Sequence, residues 1–154
     1  MYIKILVLVN LMAFAFLASQ PLFYLMAFSQ AQKSLRATAY IELRKSLDKS
    51  IKPTLSFAYY FTMSTMLLLL IASLQATNYL LLATTLISLA ALVTDIVLAL
   101  KTNIPINNII SQWDADNYPR HWQLFRRKWF YFYHMRQAAG LVGFAALLFG
   151  VVFR

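Results

Sequence analysis

Four apolar stretches, each long enough to cross a lipid bilayer, constrain the fold of this chain more than any other feature. The hydrocarbon core of a bilayer is about 30 Å thick, and a helix needs roughly 20 residues to cross it. Of the 154 residues, 61% are hydrophobic and 12% are charged, whereas a soluble domain carries about 25% charged residues. The sequence therefore predicts one all-α integral membrane domain, a bundle of four transmembrane helices. The predicted spans are Ile3–Phe28, Pro53–Leu74, Tyr79–Leu100 and Trp129–Phe153.

The first apolar stretch has two interpretations. Lys4 before an apolar run is typical of a secretory signal peptide. However, no clean small-residue cleavage site follows, and the apolar character continues through Phe28. These two features favour a span that is retained in the bundle.

Positive charge is concentrated in the first and third connections between the predicted spans. The formal net charge of +9 could indicate a nucleic-acid binder. The basic residues flank apolar spans, however, where an excess of Lys and Arg is a signal of topology, so no nucleic-acid partner is predicted. Of the 14 Lys and Arg residues, six lie in the first connection and six lie in or next to the third, the last of them Arg136 near the start of the fourth span. The positive-inside rule then predicts cytoplasmic basic connections and two external termini, with a bacterial inner membrane as the expected location.

The first connection is expected to form a cationic amphipathic helix, because its apolar and charged side chains occupy opposite arcs of a helical wheel. Such a helix would lie on the inner leaflet of the membrane or continue a span beyond it. A solvated helix that only joins two spans explains the pattern equally well. The apolar arc holds Leu35, Ala39, Tyr40, Leu43, Leu47 and Ile51, and the charged arc holds Glu42, Arg44, Lys45, Asp48, Lys49 and Lys52.

The third connection collects most of the unusual residues of the chain, since Thr102–Arg136 contains all three tryptophans and both histidines. Asn103 is expected to cap a short helix over Pro105–Trp113. A turn is predicted at Asp114–Asn117, followed by a last helix over Pro119–Arg154. At 1.5 Å per residue that helix would be about 50 Å long, so it is predicted to protrude from the membrane.

One face of the predicted last helix carries the candidate functional residues. Its members recur at spacings of three, four and seven residues, which places them on one side of a helix. Two glycines on this face are expected to let another helix approach closely. His134 lies about 200° around the helix from Arg136 and should point elsewhere. The members of the face are Trp122, Trp129, Tyr133, Arg136, Gly140 and Gly143.

Asp95 is the only acidic residue inside a predicted span. It lies six residues before Lys101, or about 9 Å from the end of the third span, and Arg136 is expected at a similar depth. Because unpaired charges are rare in the bilayer, we expect Asp95 to pair with Arg136 or with His134 in the bundle interior. Such a pair would either line a polar cavity or only neutralise a buried charge.

Several other kinds of site receive little support. His121 and His134 lie 13 residues apart, which is not a ligand-pair spacing, and the chain has no cysteine, so no metal site is predicted. No nucleophile–base motif or phosphate-binding loop is present. The run FRRKW over Phe125–Trp129 is more typical of a topology anchor that contacts lipid headgroups.

The residues from Asn103 to Arg136 resemble a known family. The segment TNIPIN, then two tryptophans separated by six residues, then His-x-Arg leading into the last span resembles the anthrone oxygenase family. That family is a four-helix membrane domain, and most of its members are uncharacterised. The characterised members oxidise an anthrone to an anthraquinone with dioxygen, without metal or flavin. The resemblance implies a cofactor-free oxidoreductase of the monooxygenase type that acts on a lipophilic aromatic or quinol-like compound.

The resemblance also implies which residues would form the site. Asn103, Pro105 and Asn107 match the asparagine–proline motif of the family, and Trp122, Trp129 and Arg136 match its later Trp and Arg positions. Tyr133 stands where the family usually has asparagine, so the substrate is expected to differ.

In cofactor-free oxygenation the protein supplies a base and holds the substrate anion. Asp95 or His134 would act as the base, and Arg136, Asn103 and Asn107 would bind the phenolate or enolate oxygen. Trp122, Trp129 and Tyr133 would contact the aromatic ring.

A non-catalytic role fits the same sequence. Small size, the lack of a catalytic triad and an aromatic content of 16% are typical of a structural or assembly subunit of a membrane complex, and transport or lipid binding is a third possibility. An enzyme should show an enclosed polar cavity that contains Asp95, Asn107 and Arg136. A subunit should show those groups paired with one another and a lipid-facing stripe for another chain.

Overall fold

The computed structural model describes residues 2–76, 78–114 and 116–153, and these residues are almost entirely helical. Two short π-helical turns, Tyr24–Phe28 and Ala99–Asn103, interrupt the α-helices. The α-helices are α1 (Tyr2–Phe23), α2 (Ser29–Ser34), α3 (Ala37–Gln75), α4 (Tyr79–Leu98), α5 (Ile104–Ser111) and α6 (Trp122–Val152).

Four of the helical segments are long and apolar enough to cross a membrane. The prediction of an all-helical chain with four such helices is confirmed. The segments are Tyr2–Gln20, Ala37–Gln75, Tyr79–Ser111 and Trp122–Val152.

The first predicted connection is not a separate helix, because α3 runs without a break from Ala37 through Pro53 to Gln75. Its 39 residues make a rod of about 58 Å, well beyond the thickness of a hydrocarbon core. Of the alternatives, the continuous helix corresponds to a span that is prolonged beyond the membrane. The assignment of Arg44 to the charged, solvent-facing arc is wrong, since only 7% of this residue is exposed.

The sequence predicts that Asn103 caps a new helix, and this prediction is wrong. Its backbone is helical, with φ −66° and ψ −42°, and its side chain makes no capping bond. The π-helical turn Ala99–Asn103 instead joins α4 and α5 into one rod. Asn103 uses its side-chain amide to donate a hydrogen bond of 3.0 Å to the backbone oxygen of Trp129 in α6. Turns of this kind are often found at functional sites.

Close packing of α6 on α1 and α4 depends on two glycines. A Cβ atom on Gly150 would lie 1.8 Å from the hydroxyl oxygen of Thr84, and one on Gly143 would lie 2.8 Å from the ring of Phe14. Ser88 adds a hydrogen bond of 2.8 Å to the backbone oxygen of Gly143. The prediction that Gly140 also contacts a helix is wrong, because a Cβ atom there would have no neighbour within 4 Å.

The interior consists of two clusters of buried side chains. An aromatic cluster around Tyr40, Trp129 and Phe130 lies at the end of the bundle where α3 and α6 begin. An aliphatic cluster around Met66 and Leu147 lies in the opposite half. We call the end of the bundle that holds the aromatic cluster the basic end, because the two basic connections flank it. The candidate site lies between the two clusters.

Candidate functional site

A cavity of about 720 Å³ lies among α1, α3, the α4–α5 rod and α6. Its volume is in the usual range for small-molecule sites, about 300–1,000 Å³. Its lining is mainly apolar, with polar groups at a few places. Six of the eight predicted site residues line it: Asp95, Asn103, Asn107, Trp129, Tyr133 and Arg136.

The cavity reaches the lateral surface of the bundle. Phe23, Tyr60 and Leu100 belong to its lining, yet they are 66%, 76% and 57% exposed. Tyr60 and Leu100 belong to segments that are long and apolar enough to cross a membrane, and Phe23 lies just after such a segment. Exposed, mainly apolar side chains therefore border the cavity at the side of the bundle, and we call this part its lateral mouth.

Asp95, Arg136 and Tyr59 form a closed triangle on the cavity wall. Arg136 Nε lies 2.6 Å from Asp95 Oδ1, and the hydroxyl of Tyr59 donates a hydrogen bond of 2.6 Å to Asp95 Oδ2. Arg136 Nη2 donates to the Tyr59 hydroxyl oxygen at 3.1 Å. The ion pair that the sequence predicted for Asp95 is thus present, with Arg136 as the partner. Tyr59 was missed, because nothing in the sequence shows which of Tyr59 and Tyr60 faces inward.

The triangle leaves binding capacity for a ligand. A guanidinium group has five N–H donors, and the bonds to Asp95 and Tyr59 account for two of them. The remaining donors of Arg136 are available for an oxygen atom in the cavity. Asp95 is the carboxylate of this group and can accept a proton directly or through Tyr59.

A second polar group lies at the basic end of the cavity. Arg44 Nη2 donates a hydrogen bond of 2.7 Å to Asn107 Oδ1, and Asn107 Nδ2 donates one of 2.7 Å to Asp48 Oδ1. The Arg44 guanidinium also lies 4.0 Å from the centre of the Trp129 ring. Arg44 follows Ile41, Tyr40 and Ala37 by three, four and seven residues, so it lies on the same helix face as these residues. All three are buried, and this spacing is the signal that Arg44 faces inward.

Of the buried polar atoms on the cavity wall that lack a hydrogen-bond partner among the described residues, two belong to predicted site residues. They are Oδ1 of Asn103 and the indole Nε1 of Trp129, and the residues that carry them are only 2% and 4% exposed. Buried polar atoms are nearly always hydrogen-bonded to protein or to water. Both atoms are covered by neighbouring side chains, so a bound molecule or a water reaches them only if those side chains shift.

Aromatic rings form one wall beside these polar atoms. The rings of Trp129 and Tyr133 stack with their centres 4.6 Å apart. The ring of Tyr24 meets Tyr133 edge-on at 4.5 Å, and its hydroxyl donates to Gln32 Oε1 at 3.0 Å. These rings make this part of the wall apolar, and Tyr133, which is half-buried, contributes more exposed ring surface than Trp129.

Two predicted site residues do not line the cavity. Trp122 lies one heptad before Trp129, toward the basic end, where its ring packs against Arg126 at 4.6 Å and Tyr40 at 5.8 Å. His134 lies on another face of α6 than Arg136. Its ring stacks on that of Phe130, with the ring centres 6.4 Å apart. The structure therefore separates both residues from the group around Asp95.

Within the described part of the chain, no group of three or more His, Cys, Asp or Glu side chains could hold a metal ion. Comparisons with known proteins give no match: no family model, curated protein or solved structure is significantly similar to this chain.

Proposed function

We propose that this chain is a membrane enzyme that oxidises a lipophilic aromatic or quinol-like compound with dioxygen, as the resemblance to anthrone oxygenases implies. The observation that carries the proposal is the position of the Asp95–Arg136 pair on the wall of an apolar cavity, next to the stacked rings of Trp129 and Tyr133. A group of this kind offers a base, a cation and an aromatic wall at one place.

The proposed reaction converts an activated methylene carbon to a carbonyl. Asp95, directly or through Tyr59, takes a proton from the substrate, and Arg136 stabilises the resulting phenolate or enolate. The anion transfers one electron to dioxygen, and the two radicals combine to a peroxide at the carbon. Loss of water from the protonated peroxide gives the carbonyl. One oxygen atom enters the product, and the other leaves as water with the two hydrogens of the methylene group.

The bilayer is the proposed source of the substrate. The lateral mouth at Phe23, Tyr60 and Leu100 admits an apolar molecule without passage through water. With a shift of the side chains that cover them, Asn103 Oδ1 and Trp129 Nε1 would then hydrogen-bond polar groups of the bound ring system. His134 and Trp122 have no role in this proposal, because neither lines the cavity.

Oxidation of anthrone by the purified protein in lipid nanodiscs tests the proposal. Formation of anthraquinone and uptake of dioxygen are measured above the rate with empty nanodiscs. Arg136→Lys keeps the charge beside Asp95 but changes the donor geometry, so we expect a rate loss of roughly tenfold or more. Arg127→Gln changes an exposed arginine of the same helix and is the matched control. Wild-type turnover by Arg136→Lys and Arg136→Ala would contradict the proposal.

The alternative function is a structural or assembly subunit of a membrane complex. Two observations favour it: Asp95 and Arg136 already neutralise one another, and α3 presents exposed aromatic rings. Phe57 and Phe61 stack with centres 6.1 Å apart and are 72% and 44% exposed. Gentle purification from native membranes that yields one stoichiometric partner, lost on Phe57→Ser but kept on Arg127→Gln, would support this function.

A further inference from the structure

Arg44 is a buried cation whose charge no carboxylate contacts directly. Among the described residues, the one ion pair within 4.0 Å joins Asp95 to Arg136. Asp48 reaches Arg44 only through the amide of Asn107, which accepts from Arg44 and donates to Asp48. The Nε atom of Arg44 has no hydrogen-bond partner in the described structure. Burial of a charged group without a direct partner is unfavourable unless something else satisfies it.

The surroundings of Arg44 supply one nearby carboxylate, that of Asp48, but no carboxylate in direct contact with the guanidinium. The guanidinium lies over the face of Trp129, and Tyr24 and Tyr133 extend the same aromatic wall. The side chain borders the large cavity together with Asn103 and Asn107. An anionic oxygen in the cavity would meet a planar cation that is shielded from water and whose Nε–H, although covered by neighbouring side chains, lacks an acceptor. Such conditions strengthen a charge-assisted hydrogen bond.

We propose that Arg44 binds the anionic oxygen group of a lipophilic ligand whose body occupies the cavity along Trp129 and Tyr133. The inference deepens the proposed function and rests on it, because it gives the substrate an acidic group at the end opposite the reacting carbon. Trp129, which Arg44 covers, lies seven residues before Arg136 in α6, so the backbone positions of these two α6 residues are about 10 Å apart along the helix. A few fused aromatic rings match that separation. An ionised carboxyl or phenol group and a phospholipid phosphate share the required chemistry.

Two probes of nearly the same shape test the charge preference. Anthracene carboxylate and methylanthracene are titrated by fluorescence into the protein in phosphatidylcholine nanodiscs, with empty nanodiscs subtracted. Partition into the lipid is the same for every variant, so the ratio of the two dissociation constants isolates the contribution of Arg44. We expect Arg44→Gln to weaken binding of the carboxylate by roughly tenfold to a hundredfold and to leave methylanthracene unchanged. Arg127→Gln, which changes an exposed arginine, should alter neither.

A second variant keeps the test decisive if Arg44→Gln does not fold. Arg44→Lys retains the charge but lacks the planar donor geometry, so the carboxylate should bind more weakly to it than to the wild type while methylanthracene binds equally. Equal effects on both probes, or no effect of either variant, would overturn the inference. If neither probe binds wild-type protein above the background, the proposed function itself fails, which is a distinguishable result.

The origin of the anionic group is decided by the lipid. Replacing part of the phosphatidylcholine with phosphatidylglycerol adds an anionic phosphate to the bilayer. Displacement of anthracene carboxylate from wild-type protein, but not of methylanthracene, would support anion binding at Arg44 and assign the site to a lipid headgroup. Retention of the carboxylate in the presence of phosphatidylglycerol would support an aromatic acid or phenol as the ligand.

Discussion

Arg136 of α6 and Asp95 of α4 form a buried ion pair with an Nε–Oδ1 distance of 2.6 Å. The hydroxyl of Tyr59 in α3 hydrogen-bonds to both residues, so one group of three polar side chains joins three of the four long helices. The side chains of Arg136 and Asp95 are only 13% and 9% exposed. Their mutual attraction therefore operates in a region that excludes water, where removal of one partner leaves a buried charge.

The first prediction concerns the stability of this pair. Asp95→Leu or Arg136→Leu alone should lower the free energy of unfolding by about 3–5 kcal/mol, because each change leaves an uncompensated charge. The double variant should lose much less, since both charges are removed together. Thermal unfolding in a mild detergent, compared across the double-mutant cycle, measures the difference. A double variant as unstable as the sum of the single variants would show that the two residues do not interact.

A second prediction isolates the hydroxyl of Tyr59. Tyr59→Phe keeps the ring and removes the hydroxyl, which donates a hydrogen bond to Asp95 Oδ2 and accepts one from Arg136 Nη2. The protein should lose about 1–3 kcal/mol of stability, because buried polar atoms are left unsatisfied. Tyr60→Phe is the matched control, since Tyr60 is 76% exposed and should change stability little. If the two variants unfold at the same temperature, the Tyr59 hydroxyl does not contribute to the group.

The position of Asp95 and Arg136 could be inferred from the sequence, whereas Tyr59 could not. Membrane depth follows from counting residues within an apolar span, and charges at equal depth tend to meet because the bilayer disfavours isolated ones. Depth does not determine direction, however. Tyr59 and Tyr60 lie at the same depth on adjacent faces of α3, and only packing decides that Tyr59 points at Asp95 and Tyr60 at the surface.

The errors at Asn103 and Arg44 have a common physical cause. Asparagine before a proline satisfies the rules for a helix start, but continuation of α4 through a π-helical turn satisfies the backbone as well and lets Asn103 reach Trp129. Arg44 lies at the edge of the charged arc of the wheel, between Ile51 and Asp48, so the pattern groups it with the charged residues. In both cases a tertiary contact with α5 or α6 prevailed over a local preference, and no local pattern contains that contact.

A third prediction contrasts two glycines of α6. Gly150→Ala should destabilise the protein by about 1–3 kcal/mol, the usual cost of overpacking, because its Cβ atom would lie 1.8 Å from Thr84 Oγ1. Gly140→Ala should be neutral or stabilising by up to about 1 kcal/mol, since alanine is the better helix former and no atom obstructs it. Thermal unfolding of the two variants under the same conditions measures both effects. Equal destabilisation would contradict the close approach of α4 and α6 at Gly150.

The fourth prediction uses Gly140 to close the cavity without disturbing its polar groups. Gly140 belongs to the cavity lining and lies one helical turn beyond Arg136, and its missing side chain faces open space. A phenyl ring introduced by Gly140→Phe should occupy part of the volume that an aromatic ligand needs. Binding of methylanthracene should fall by roughly tenfold or more, because burial of the probe's apolar surface is lost, while the unfolding temperature stays at or above that of the wild type.

Gly140→Ala is the control for this change, because a methyl group leaves most of the 720 Å³ cavity unfilled and should leave binding near the wild-type level. A graded loss from glycine through alanine and leucine to phenylalanine would identify the cavity as the binding site. Unchanged binding by a folded Gly140→Phe protein would place the ligand elsewhere on the bundle. That result would favour the lipid-exposed rings of Phe57 and Phe61 as the functional surface.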